Sequence, residues 1–236
     1  MTISRKHGGI TMDGDARSAA GPQWLAGQWF TDEALEPLAE INAQCLDLLC
    51  AMAQADALAQ PRMLAAQPQV WRMLSPQARL RLAASPYLLA DAGFNDEVRW
   101  QAMAARAVRD LPREFAESAF TGAAARDFIR RVLIYSWHLV RAHRQVARLV
   151  FGMTPACAAL LAGLRLKDLD WLAEQQPGWV RPRWETQPLV WRHLLQAAAE
   201  DDHALLTQAS LRGIQLLAAA CVPADAPPLR RPRQAV

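Results

Sequence analysis

Residues 126–150 read RDFIRRVLIYSWHLVRAHRQVARLV, and the spacing of their apolar side chains sets the fold class. At about 100° per residue, Phe128, Val132, Tyr135, Leu139, Val146 and Val150 share one face of a helix, while Arg126, Arg130, Arg141, Arg144 and Arg148 gather in a sector about 60° wide on the opposite side. Ile134 and Trp137 fall inside the basic sector. That face is therefore either an ordinary solvated side or a surface that packs on something.

Working outward, Gly152 stops this helix, and Thr154 with Pro155 supplies an N-cap and a first-turn proline for PACAALLAGL. Ser75 and Pro76 carry the same start signal. LKDLDWLAEQ reads as a further helix ended by Pro177 and Gly178, and PLVWRHLLQAAAE and DHALLTQASLRGIQLLAAA supply the last two. Alanine and leucine dominate throughout and β-branched runs are absent, so the expected fold is all-α, a compact helical bundle. Residues 1–22, rich in Gly, Ser, Asp and Arg, are expected to be a disordered arm. A basic, proline-rich tail is expected over 223–236, where Pro223, Pro227, Pro228 and Pro232 exclude a helix.

The chain has 236 residues, 52% of them hydrophobic, enough to bury a substantial core. Net charge is +3, and Lys6 and Lys167 are the only lysines. Genome base composition explains that arginine bias ahead of a need for guanidinium forks. No run approaches the roughly 20 apolar residues of a membrane span, and the first residues lack an apolar signal region, so no membrane insertion and a cytoplasmic location are expected. Cys45, Cys50, Cys157 and Cys221 are scattered in apolar surroundings, as buried free thiols are, without the close pairs of a zinc site.

His138 and His143 are five residues apart, about 140° around a helix, and cannot share a metal; the same holds for Cys45 and Cys50. EDDH at 200–203 resembles an acid–base cluster, but Asp201 or Asp202 as an N-cap explains it. There is no Ser-His-Asp arrangement, Gly-rich phosphate loop or nucleotide motif. An enzyme is not expected, nor a cofactor or metal.

The chain also repeats itself at a spacing of about 90 residues. Val70, Trp71 and Leu74 fall against Leu160, Leu161 and Leu164, and RLAASPYLLADAGFNDEVRW (81–100) resembles WLAEQQPGWVRPRWETQPLVW (171–191). A one-residue gap is needed between the shared Leu-Ala and the shared final Trp. Residues 23–125 are read as a degenerate first repeat and 126–222 as the second.

The segment from about His143 to Ala218 resembles the FlhD family, the D subunit of the bacterial flagellar transcription activator. The residues that carry the resemblance are RQVARLVFGMTPACAALLAGLRLKDLDWLAEQQPGWVRPRW, in which the family's Phe-Arg-Phe is replaced by Pro182-Arg183-Trp184. The resemblance implies an all-helical dimeric fold acting at promoters with a zinc-binding partner subunit. The family's inter-subunit cysteine falls at Val180 here, and the chain is about twice the family's length. Two fused FlhD-like units forming a pseudo-dimer would account for both departures, because a peptide linker replaces the disulfide.

Candidate contacts for DNA or a protein partner are Arg130, Arg141, Arg144 and Arg148 on the basic stripe, and Trp179, Arg181, Arg183 and Arg192 downstream. Trp179 sits in PGWVRPR, read as a loop in which Pro182 holds Arg181 and Arg183 extended, an arrangement suited to phosphates or an acidic partner. The other reading folds Trp179 back over the core. Trp171, Trp184 and Trp191 take positions where the family is apolar and are expected in the core or seam. The expected function is FlhD-like transcriptional regulation, by DNA binding or by docking on a DNA-binding partner. The alternative is a non-enzymatic adaptor of a bacterial secretion or motility system.

Overall fold

The computed structural model describes residues 32–55, 60–105, 119–120 and 123–221. The expected arm at 1–22 and tail at 223–236 lie outside them. Among the described residues the chain forms eleven helices: α1 Asp32–Ala55, α2 Arg62–Ala65, α3 Pro68–Arg72, α4 Pro76–Ala83, α5 Glu97–Ala104, α6 Ala123–Ala142, α7 Arg144–Phe151, α8 Pro155–Gly163, α9 Leu166–Gln175, α10 Pro188–Ala199 and α11 His203–Ala220. Two short strands, β1 Ala90–Asp91 and β2 Arg181–Pro182, pair antiparallel. The fold is therefore a compact, mostly helical protein with a tiny sheet, and the all-α expectation is amended by that ladder.

Helix starts follow the sequence closely. Ser75 Oγ accepts from the Ala78 N–H at 3.1 Å and Thr154 Oγ1 from the Cys157 N–H at 3.2 Å. Asp202 Oδ1 accepts from the Ala204 and Leu205 amides at 2.8 and 3.1 Å, so the EDDH segment is a cap. Each such cap stabilises its helix by about 1 kcal/mol. Gly152 ends α7 in the left-handed region at φ 63°. The one helix expected over 126–150 is instead two, separated at His143 (φ −141°, ψ 69°). Buried pairs Leu139–Val140 and Val146–Ala147 keep helical phase across the break, so the apolar pattern carries no sign of it.

Elements recur at a fixed spacing. Asp32 and Ala123, which open α1 and α6, are 91 residues apart, as are Ala90 and Arg181, which open the strands, and Glu97 and Pro188, which open α5 and α10. Ala90 pairs with Pro182 and Asp91 with Arg181, so exchanging the two segments leaves the ladder unchanged. The Thr154 N–H donates to Phe94 O at 3.1 Å, and the Met63 N–H, 91 residues before Thr154, donates at 3.1 Å to Glu185 O, 91 residues after Phe94. Trp100 Nε1 donates to Gly93 O at 2.9 Å and Trp191 Nε1 to Arg183 O at 2.7 Å. The buried pairs Leu82–Ala83 and Leu172–Ala173 stay 90 apart, which places the one-residue gap between α4 or α9 and the strand that follows. Pro68 splits into α2 and α3 what α8 forms as one helix.

The core lies between these segments. α1 packs on α4 and α6, α6 on α9, α4 on α10, and α5 on α8. Aromatic contacts cross the same boundary: Trp71 meets Trp191 at 5.2 Å, Trp100 meets Trp179 edge-on at 5.3 Å, Tyr87 meets Trp184 edge-on at 5.5 Å and Phe94 stacks on Phe151 at 5.2 Å. Such ring pairs add about 1 kcal/mol each beyond their apolar burial. Asn42, fully buried on α1, donates to the Ala83 and Tyr87 carbonyls at 3.2 and 2.9 Å and accepts from the Leu89 N–H at 2.8 Å, fixing the chain between α4 and β1.

Candidate functional site

The segment Pro177–Trp184 is where sequence and structure differ most. Pro177–Trp179 forms a single 3-10 turn that leads into β2. The indole of Trp179 is fully buried against Trp100, and the Arg99 guanidinium lies 4.0 Å over its ring. Arg99 Nη2 also donates to the Trp179 carbonyl at 2.6 Å. Trp179 is thus folded into the core and is withdrawn as an exposed contact, because a large apolar ring facing a packed aromatic partner gains more buried than wet.

Arg183 is withdrawn for a different reason. Only 5% of it is exposed. Its Nε donates to Leu88 O at 2.7 Å, and its Nη2 to Ala90 O and Phe151 O, each at 3.0 Å. One planar fork therefore ties the segment before β1, β1 itself and the end of α7. Burial pushes the guanidinium below its ordinary range, and Asp91, with Oδ1 at 4.0 Å, opposes that shift. Arg181 remains half-exposed and pairs with Glu185 at 2.7 Å. Arg192 is exposed on α10. Arg181, Arg183 and Arg192 do not form one continuous basic face, since the middle member points into the protein.

The basic stripe is largely engaged within the chain. Arg130 contacts Asp170 at 3.0 Å and Glu174 at 3.2 Å, both on α9. Trp137 is half-buried and its Nε1 donates to Leu164 O at 2.9 Å, while Arg141 lies over the Trp137 ring at 4.6 Å. Arg148 reaches Gln145 at 3.2 Å, and Arg144 is exposed. This second face of α6 thus packs on α8 and α9, with the arginines at its margin.

Trp191 is fully buried and Trp184 half-buried, as core or seam positions should be; Trp171 is 42% exposed on α9 and leaves that group. Arg99 and Asn42 were not legible as structural residues, because a buried polar side chain in an Ala-Leu-rich chain has no periodic signature. The cysteines behave as separate thiols. Cys45, Cys50 and Cys157 are buried, and burial pushes Cys50 and Cys157 up to about 11. No group of three or more His, Cys, Asp or Glu side chains that could hold a metal occurs among the described residues. No single helix among them is long and apolar enough to cross a membrane, and α7 and α8 are bent by 116°.

Comparison with protein families, with characterised proteins and with solved structures finds no match to this chain.

Proposed function

We propose that this chain is a fused pair of FlhD-like halves acting as a transcriptional co-regulator, and that it acts by docking on a DNA-binding partner. The family assignment rests on the sequence of residues 143–218 and on helix order. Support for the fused arrangement is the reciprocal seam: a strand pair that maps onto itself, and the Thr154–Phe94 bond mirrored by Met63–Glu185. One chain occupies the place of two subunits, so a covalent inter-subunit link has nothing to add.

Docking is preferred to direct DNA reading on one observation. In the Trp179–Arg183 segment, one of the sequence candidates for phosphate contact, Trp179 and Arg183 are buried in the seam. Large apolar side chains are exposed instead, among them Val98 at 75% and Leu189 at 59%, which occupy the same register position in α5 and α10. Exposed apolar residues serve protein contact better than phosphate contact.

The test is fluorescence anisotropy of the full chain with duplex DNA at low and moderate salt, beside co-purification after nuclease treatment. A docking co-regulator shows no sequence-specific duplex binding and retains a DNA-binding protein that Val98→Asp with Leu189→Asp releases. Tight, steeply salt-dependent binding to a promoter by the purified chain overturns docking in favour of direct reading. A nuclease-insensitive partner that does not itself bind DNA favours the secretion or motility adaptor, which the same exposed residues fit.

A further inference from the structure

A cleft of about 330 Å³ opens beside the strand pair, walled by β2 and the residues after it, by Gly93 and Arg99, and by Leu216, Leu217 and Ala220 near the end of α11. Its volume lies at the lower end of the range for small-molecule sites. Three arginines, Arg99, Arg181 and Arg183, line it against two acids, Asp91 and Glu185, leaving a net positive lining. Both acids are already engaged. Glu185 pairs with Arg181, and Asp91 Oδ1 accepts from the Gly93 and Phe94 amides at 3.1 and 3.3 Å.

Arg183 is the decisive residue. A guanidinium carries five N–H donors in a fixed plane. The Arg183 donors at Nε and Nη2 are spent on three main-chain carbonyls, whereas Nη1 meets no acceptor among the described residues and is not sealed from solvent. Among the described residues the only carboxylate within 4.0 Å is Asp91, at that limit. A buried cation without a close counter-ion is costly unless an anion supplies the missing partner. Charge-assisted bonds from a guanidinium to a carboxylate or phosphate are about twice as strong as neutral ones.

We infer that this cleft binds a small organic anion, its oxygens on Arg183 and Arg181 and its apolar body between Trp184 and the α11 residues Leu216 and Leu217. The mixed lining selects a carboxylate carrying a ring or short chain over a bare inorganic ion. A ligand there touches β2 and α11 from one half and Gly93 and Arg99 from the other, so it bridges the seam. The inference is independent of the docking partner, since neither Val98 nor Leu189 lines the cleft.

Titration of the full-length protein with phenylacetate, followed by tryptophan fluorescence and by Tm, tests it, with inorganic phosphate and chloride run in parallel. Saturable phenylacetate binding with Kd near or below about 1 mM and a raised Tm is expected. Arg181→Ala, at the cleft rim, weakens binding by about tenfold or more, the loss of one charge-assisted contact. Leu216→Trp, which fills the cleft from α11, abolishes it, and far-UV circular dichroism confirms that both variants fold. Arg212→Ala, on the outer face of α11, leaves binding unchanged. No saturable binding of phenylacetate, binding of phosphate alone, or binding that survives Leu216→Trp overturns the inference.

Discussion

Residues 32–55 and 60–105 on one side and 123–221 on the other place matching elements at a matching spacing, yet they meet the same geometric demands with different chemistry. Gly93 adopts φ 67° and its counterpart 91 residues on, Trp184, adopts φ 51°. Glycine takes that conformation without steric cost, while tryptophan pays about 1–2 kcal/mol for it. Trp184 stays because its ring closes edge-on over Tyr87. A Cβ at Gly93 would lie 2.7 Å from Arg99 Nη1, so a side chain there would displace that guanidinium as well as strain the backbone. Likewise Asn42 and Leu133, 91 apart, are both fully buried, but only Asn42 bonds to the backbone around it. At that position a buried amide on α1 does by hydrogen bonding what α6 does by apolar packing. A common topology therefore tolerates quite different side-chain solutions, provided each buried polar group finds its partners.

Breaking the asymmetry at its largest element means removing Arg183, whose counterpart is Ala92. Arg183→Ala leaves the Leu88, Ala90 and Phe151 carbonyls without their donor and opens space in the seam. A loss of about 3–5 kcal/mol is expected in urea unfolding, large enough to threaten the fold. A loss below about 1 kcal/mol would mean that the fork contributes little to the seam.

Asn42→Leu, which copies the second half into the first, comes next. Leucine fits the apolar surroundings but satisfies neither the Ala83 and Tyr87 carbonyls nor the Leu89 amide, so about 2–3 kcal/mol is lost despite the gain in apolar burial. Equal stability of variant and parent would show that water replaces the amide, and that the two halves are interchangeable there.

Gly93→Ala should cost about 1–3 kcal/mol through both the positive φ and the contact with Arg99. Trp184→Gly should change stability less, because relief of backbone strain offsets part of the lost ring contact with Tyr87. Thermal unfolding of the pair ranks the two sites. A larger loss for Trp184→Gly would show that ring packing outweighs backbone conformation.

The smallest effect concerns pH. Cys50 and Cys157 ordinarily titrate near 9.0 and are pushed up to about 11 by burial. The folded protein holds these protons more tightly than the unfolded chain does. Their contribution is complete below pH 9.0 and is lost as pH rises toward about 11. Unfolding midpoints should decline over that window, and Cys50→Ser with Cys157→Ser should flatten the decline. A slope unaltered in the double variant assigns the alkaline sensitivity to other groups.

Much of the fold was legible in residues that act locally. Ser75, Thr154 and Asp202 cap helices as their sequence context says, and Gly152 ends α7 where a left-handed residue was needed. Candidate contacts fared differently. Arg130, Arg141 and Arg148 were readable as one stripe, but not that α9 acids, Trp137 and Gln145 would meet them. Trp171, expected in the core or seam, is 42% exposed, and of the two readings open for Trp179 the structure takes the buried one.

Composition and periodicity by themselves determined a helical chain with punctuated helix ends, because helix propensity, capping and apolar period act over a few neighbouring residues. Only the tertiary structure decided that Arg183 faces inward, that β1 meets β2, and that the helix over 126–150 breaks at His143. Those outcomes depend on acceptors and rings supplied from dozens of residues away. Local chemistry states what a side chain needs, and long-range packing alone selects the group that meets the need.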